Sequence, residues 1–138
     1  MQNKKVKKWS DQTILKALPN PGNGYEVKIE CPEVTFLGVY NQPDFATLFM
    51  TMYPKNSIIE LKSLKLYLQQ FREKIISYER LLNVIYEDIL ETYKPNRLRL
   101  VMKLRPRGGI SSKLTKDSDW SINGGKEIFK DWIGQRDE

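Results

Sequence analysis

The sequence predicts an α+β domain, an antiparallel four-stranded sheet with two helices on one face, in the chain order strand, strand, helix, helix, strand, strand. Three observations predict it. Residues 25–37 and 97–107 alternate apolar with polar side chains, the period of a half-buried strand, and residues 44–53 are rich in aromatic and apolar residues. Between the second and third of these segments, residues 60–73 and 77–93 carry apolar residues at helical spacing. The loop between the first two strands is short, which requires an antiparallel pair.

Taken in order, residues 1–24 read as a basic tail and loop, where Ser10 to Leu18 has room for a helical turn or two. Pro19-Asn20-Pro21-Gly22-Asn23-Gly24 is a turn cluster that closes it. Tyr25, Val27, Ile29 and Cys31 then alternate with Glu26, Lys28 and Glu30; Pro32 interrupts the strand, and Val34 to Leu37 resumes it at a bulge or along an edge. Gly38 to Pro43 is a loop, Asp44 to Tyr53 the second strand, and Pro54-Lys55-Asn56-Ser57 the next turn. Leu61, Leu64, Leu68 and Phe71 form the apolar stripe of the first helix, with Lys62, Lys65, Gln69 and Arg72 on another face. Ser77 caps a second helix running to about Tyr93, with Leu81, Leu82, Ile85 and Ile89 inward, and Lys94-Pro95-Asn96 ends it.

In the third strand Leu98, Leu100, Met102 and Leu104 face one way and Arg97, Arg99, Lys103 and Arg105 the other, with Val101 the exception. Pro106 to Gly109 is a turn, and residues 110–115 make a short fourth strand. From Lys116 the tail carries Trp120 and Trp132 and has room for a short helix. The domain therefore spans residues 25–115, between an N-terminal tail (1–24) and a C-terminal extension (116–138). One four-stranded sheet leaves its edges and one face uncovered, which implies a homo-oligomer that continues the sheet.

Composition limits the chemistry. The chain has 138 residues, a net charge of +6, one cysteine and no histidine. Without histidine there is no Ser-His-Asp or Cys-His catalysis and no histidine-ligated metal. A single cysteine excludes an internal disulfide and a cysteine-rich zinc site. No apolar run is long enough to span a membrane, and no apolar stretch follows Lys4, Lys5, Lys7 and Lys8 as a secretory signal requires, so a cytoplasmic protein is expected. The basic excess suits an anionic partner such as a phosphorylated cofactor, a nucleotide or RNA, although a charge this small more commonly serves solubility.

Several residues have a chemical and a structural reading. Lys62, Lys65 and Arg72 on one helix face can hold phosphates, or simply solvate the helix. Like charges along Arg97 to Arg105 repel unless an anion or a partner subunit meets them. Arg107-Gly108-Gly109 is a turn open to close backbone approach. Asp44 reads as a cap or turn residue and Glu79 as a dipole partner in a first helical turn. Cys31, on the apolar strand face, reads as a buried, inert thiol.

These pieces in this order closely resemble one family. Glu30-Cys31-Pro32-Glu33, then Gln42-Pro43-Asp44-Phe45-Ala46-Thr47, then Glu60-Leu61-Lys62-Ser63-Leu64-Lys65-Leu66-Tyr67-Leu68 with Phe71-Arg72, then Pro106-Arg107-Gly108-Gly109-Ile110-Ser111 are similar to QueF, the NADPH-dependent 7-cyano-7-deazaguanine reductases. The resemblance covers about residues 17 to 115. It implies a tunnelling fold, the ββααββ unit that assembles into an oligomeric barrel with active sites between subunits. It implies reduction of a nitrile to an aminomethyl group with two NADPH, on the route to the tRNA base queuosine. By the same resemblance Asp44 is the proton donor and Glu79 the base-recognition carboxylate. Ile59-Glu60-Leu61 is the substrate-contact segment. Tyr78 stands where the family has a histidine. Leu61, Lys62, Lys65, Arg107 and Gly108 match cofactor-binding positions.

The family's thiolate adds to the nitrile to give a thioimide, and its cysteine belongs in the loop before Gln42-Pro43-Asp44. Here that loop is Leu37-Gly38-Val39-Tyr40-Asn41, one residue short, and the slot falls on Gly38. Cys31 lies seven positions earlier, roughly 20 Å along a strand at about 3.3 Å per residue. The odd offset also puts it on the opposite face, so it is not expected to replace the missing thiol. Three functions follow: a homologue that binds a 7-deazaguanine or related purine without the thioimide route, either running another reaction or only binding, a reductase of altered mechanism, or an RNA-binding or assembly protein using the basic tail and the Arg97 to Arg107 face.

Overall fold

A computed structural model describes residues 9–126. The elements are β1 (Ala17–Pro19), β2 (Val27–Leu37), β3 (Pro43–Tyr53), β4 (Ser57–Ile59), α1 (Leu61–Gln69), α2 (Tyr78–Tyr93), β5 (Arg97–Leu104) and β6 (Lys113–Asp117). Short 3-10 turns lie at Gln12–Ile14 and Ser121–Asn123. The expected architecture holds: one antiparallel sheet in the order β2-β3-β5-β6, with both helices on one face. No helix among the described residues is long and apolar enough to cross a membrane. Lys4, Lys5, Lys7, Lys8 and Trp132 lie outside the described residues.

The alternation read from the sequence is the alternation of burial. Ala46, Leu48, Met50 and Met52 of β3 and Leu98, Leu100 and Met102 of β5 are buried under Leu64, Tyr67, Phe71, Leu81, Ile85 and Ile89 of the helical layer. The bulge forms at Pro32, where the β2–β3 register shifts between Cys31 and Val34. Proline has no amide hydrogen to give a ladder, so edge strand β2 is where it is tolerated. Ser77 Oγ accepts from the Arg80 amide at the start of α2, and Lys94 closes the helix in the left-handed conformation (φ 46°).

The structure differs from expectation at four places. Residues 17–19 are not simple loop; β1 pairs antiparallel with β4 as a second, two-stranded sheet. The first helix stops at Gln69 because Leu37 exchanges hydrogen bonds with Lys74 and Ile76 (3.0 Å each), which draws the following chain into a parallel bridge at the end of β2. The fourth strand occupies Lys113–Asp117, and Ile110 belongs instead to the tight turn with Arg107. The cationic row on β5 does not wait for an outside anion. Buried Asp117 accepts two hydrogen bonds from Arg97 (3.0 and 2.7 Å) and one from Arg99 (2.9 Å).

Ser10 Oγ (2.6 Å) and the Tyr67 hydroxyl (2.5 Å) both donate to the buried Asp88 carboxylate, and the Tyr93 hydroxyl donates to Lys16 O (2.7 Å). Those bonds fasten the N-terminal segment to α2, and α2 to α1.

Asp117 couples this packing to pH. Burial alone would raise its pKa, but hydrogen bonds from Arg97, the Asp119 amide and Arg99 outweigh burial and hold it below the ordinary aspartate value. A depressed carboxylate stabilises the fold above its unfolded pKa, and that contribution fades as pH falls through the folded one. Asp117→Asn should therefore destabilise the protein by about 3 kcal/mol at neutral pH, the cost of leaving partly buried cations unpaired. The difference from the parent protein should shrink below about pH 4, as measured by urea unfolding across pH.

Candidate functional site

The loop between β2 and β3 sets two residues side by side. Gly38 follows the last residue of β2, and Asp44 is the second residue of β3. The loop is closed on itself: the Gly38 amide donates to Gln42 O (2.8 Å) and the Asn41 amide to Gly38 O (2.7 Å), with Asn41 at φ 61°. A Cβ on residue 38 would lie 2.8 Å from Asp44 Oδ2, closer than real Cβ atoms come, so the Asp44 carboxylate fills the space a side chain there would need.

Arg107 fixes that carboxylate from the other hairpin. Gly108 and Gly109 both have positive φ (60° and 81°), as a two-residue hairpin turn of the mirror-image type I requires. The turn closes with Arg107 N to Ile110 O (2.8 Å) and Ile110 N to Arg107 O (3.0 Å). Arg107 Nη1 donates to Asp44 Oδ1 (2.5 Å) and Pro43 O (3.3 Å), and Nη2 donates to Gln42 Oε1 (2.7 Å). One guanidinium thus spans the loop and the start of β3.

The first turn of α2 supplies the rest. The Tyr78 hydroxyl accepts from Ser112 Oγ (2.9 Å), which ties the helix start to the β5–β6 connection. Glu79 lies in that turn, and its carboxylate has no hydrogen bond or ion pair among the described residues. Gly38, Asp44, Tyr78, Glu79 and Arg107 all line one cavity of about 320 Å³, together with Phe36, Val39, Tyr40, Gln42, Ile76 and Ser77. That volume lies within the range of small-molecule sites, roughly 300–1,000 Å³. Sequence reasoning assigns no role to Gln42, Tyr40 or Ser112; the Gln42-Pro43-Asp44 motif is the available signal for the first of these.

The remaining candidates lie elsewhere. Ile59 is buried in β4, paired with Ala17. Glu60 caps α1, accepting from the Ser63 amide (2.8 Å). Leu61 is exposed, as are Lys62 and Lys65 on the first turns of the helix. This group follows the far end of β3, whose ten residue steps from Pro43 to Tyr53 span about 33 Å at ~3.3 Å each. One subunit therefore carries the candidate residues in two sets at opposite ends of its central strand. Gly108 sits in the turn beside Arg107 and does not line the cavity.

Cys31 is no nearer to a role. It packs against the core, and burial, with the neighbouring Glu30 charge, pushes its thiol pKa up to about 11, so it is protonated at neutral pH. The expected reversal of face fails for a physical reason: the bulge inserts a residue, and Cys31 shares the core face with Val34 and Phe36. Distance keeps it away. Its partner Leu48 is five positions along β3 from Pro43, the partner of Leu37, or about 17 Å.

The basic strand face is largely balanced from within. Besides the Asp117 pairs, Arg105 lies 3.7 Å from Glu33, and Arg107 is committed to Asp44.

Known proteins match both the sequence and the architecture. A family model described as QueF-like protein matches residues 43–121. NADPH-dependent 7-cyano-7-deazaguanine reductase of Exiguobacterium sibiricum is 45% identical over 101 residues, covering 71% of this chain and 62% of that protein. The chain thus spans about three fifths of the length of that relative. The reductase of Thioalkalivibrio sulfidiphilus is 39% identical, covering 74% of this chain and 82% of its own, and that of Aquifex aeolicus is 38% identical, covering 83% and 95%. Among solved structures, the archaeosine synthase QueF-Like in its apo form superposes with a TM-score of 0.64 at 12% identity, over 70% of this chain and 95% of that one. This likeness is one of fold, the ββααββ unit of the tunnelling fold. With the family model covering more than half of its residues, the chain belongs to the QueF-like protein family.

Proposed function

We propose that this chain binds a 7-deazaguanine or closely related purine base non-covalently, with Glu79 as the carboxylate that reads the base. The observation that carries the reading is the cavity itself. It unites Glu79, whose carboxylate is unpaired among the described residues, with Asp44, Tyr78 and Arg107, and with Gly38, which by the family resemblance stands where the nucleophile belongs. The relatives named above are 7-cyano-7-deazaguanine reductases. Their substrate class is the one this cavity's chemistry suits, since a carboxylate accepts the paired N–H donors of a guanine-like edge.

The reductive half of the family reaction has weaker support in these residues. A thiolate must add to the nitrile before hydride can reduce it, and neither residue available to stand in serves. Cys31 is distant and protonated. Tyr78 offers a phenol, and a hydroxyl without an adjacent base to activate it is a weak nucleophile. Asp44, the family's proton donor, is held by Arg107.

Lys62 and Lys65, exposed one turn apart on α1 and without partners among the described residues, fit the phosphates of NADPH, which supplies hydride when bound. Arg107, the third matching cation, is engaged at the cavity end of the subunit. The two sets meet only if a second copy brings its α1 to the cavity, so a cytoplasmic homo-oligomer with composite sites is part of this reading. In it, residues 25–115 form the binding domain, flanked by 1–24 and 116–138. The exposed Leu61 and the Ile59–Glu60 backbone then form the second wall of the base site.

Two outcomes check this. Calorimetry with a 7-deazaguanine base should show Glu79→Gln binding at least about tenfold weaker, because a hydrogen bond to a charged group is worth about 1.5–3 kcal/mol and 1.4 kcal/mol is a factor of ten. Unchanged affinity removes Glu79 from the site. NADPH should bind in the presence of base, more weakly as salt rises and more weakly again in Lys62→Ala/Lys65→Ala. No NADPH binding at low salt means these lysines serve another anion. Preference for RNA over free base, with a steep salt dependence, would favour the nucleic-acid reading instead.

A further inference from the structure

The chain has seven tyrosines, and six of them are committed within the fold. Tyr25, Tyr67 and Tyr93 donate their hydroxyls to Asn20, Asp88 and Lys16 O, and Tyr78 accepts from Ser112. Tyr53 and Tyr86 lie beneath the cations of Arg97 and Lys116, 5.8 and 4.7 Å from their ring centres. Tyr40 is the exception. Its hydroxyl and its ring have no partner among the described residues, and it is 86% exposed. A ring left in water contributes no burial to the fold. Packing therefore does not account for Tyr40, whereas its place on the wall of the cavity that holds Glu79 can.

The backbone beneath it is tied down. Gly38 to Asn41 is a tight turn, closed by the Asn41 amide to Gly38 O (2.7 Å) and by the Gly38 amide to Gln42 O (2.8 Å), and Tyr40 is its second central residue. Gln42 Oε1 in turn accepts from Arg107 Nη2 (2.7 Å), which anchors the turn to the β5–β6 hairpin. A tyrosine on such a mount offers a large flat face and has only two side-chain torsions to order when a ligand arrives.

Hydrogen bonds to Glu79 hold a base by its edge and leave its two flat faces uncovered. Two other aromatic residues line the cavity, and neither has a ring face to spare. Phe36 is fully buried in the core, and Tyr78 packs against the core with its hydroxyl bonded to Ser112. We propose that Tyr40 is the stacking platform of the site: its ring covers one face of the flat bicyclic base whose edge Glu79 reads. This rests on the base-site reading above and adds the residue that recognises the ring system itself. Stacking demands a π face and no particular substituent, so Tyr40 selects for the bicyclic ring and leaves the choice of C7 group to the rest of the cavity.

Calorimetry on the full chain with 7-deazaguanine, using the parent protein and three variants, tests this. Tyr40→Phe keeps the ring and should bind within about twofold of the parent. Tyr40→Leu keeps apolar bulk without a π face, and Tyr40→Ala removes both. Each of these two should bind about tenfold more weakly, the size of one base–aromatic stack. Because Tyr40 touches no other described side chain, all three variants should keep the parent's unfolding midpoint, and light scattering should give all three the parent's mass. Parent-like binding by Tyr40→Ala or by Tyr40→Leu overturns the platform and leaves the base site standing. A tenfold loss in Tyr40→Phe assigns the effect to the hydroxyl and also overturns it. A fall in mass that accompanies the loss of affinity makes Tyr40 a subunit contact instead. Failure of the parent to bind the base overturns the base site and the platform with it.

Discussion

The register of β3 is the constraint on which the rest of the molecule depends. It is bonded on both sides, to β2 and to β5, and it buries every second side chain: Ala46, Leu48, Met50 and Met52. A slip of one residue would send these to the open face and turn Phe45, Thr47, Phe49 and Thr51 inward. Burying a Leu or Met is worth about 1.5–3 kcal/mol. Losing three such burials at once approaches the whole stability of a small domain, about 5–15 kcal/mol. The register that protects the core also fixes Asp44 beside Gly38 at one end, and its length holds α1 away at the other.

Two carboxylates differ in what burial and partners leave them free to do. Asp117 is fully buried and saturated by Arg97, Arg99 and the Asp119 amide, so it has no capacity left for a ligand. Asp44 has one oxygen engaged and the other turned to a cavity. Both are held by arginines from β5 or the turn that follows it, and sequence spacing alone does not tell them apart. What separates them is Gly38: an ordinary side chain there would push the Asp44 carboxylate out of its place, and glycine lets it stay.

Much of the fold was legible because alternation and helical period report burial directly. The bulge at Pro32, the Ser77 cap and the antiparallel β2–β3 pair all rest on local chemistry. The features that were not legible depend on distant partners. β1 and β4 are three residues each, too short to show a period, and exist because they pair with each other. α1 ends early because Leu37 captures Lys74 and Ile76. The charge of the β5 row is met by Asp117, a residue past the expected end of β6. In the site, Asp44, Tyr78, Glu79 and Arg107 were found through resemblance to a family motif; their shared cavity is visible only once the two hairpins and α2 are folded together. The unpaired Oδ2 of Asp44 had no sequence signal, since it depends on a rotamer set by Arg107.

The central claim is that the base site persists without a nucleophile. Intact-protein mass spectrometry after incubation with saturating 7-cyano-7-deazaguanine tests it most directly. A nitrile needs a thiolate to add to it, and activation depends on one placed beside a proton donor. The account predicts the unmodified mass at every pH where the fold is intact. A covalent adduct, mapped by peptide digestion to Cys31, would contradict it, since it would require a thiol held near pKa 11 and about 17 Å along the strand to reach the base.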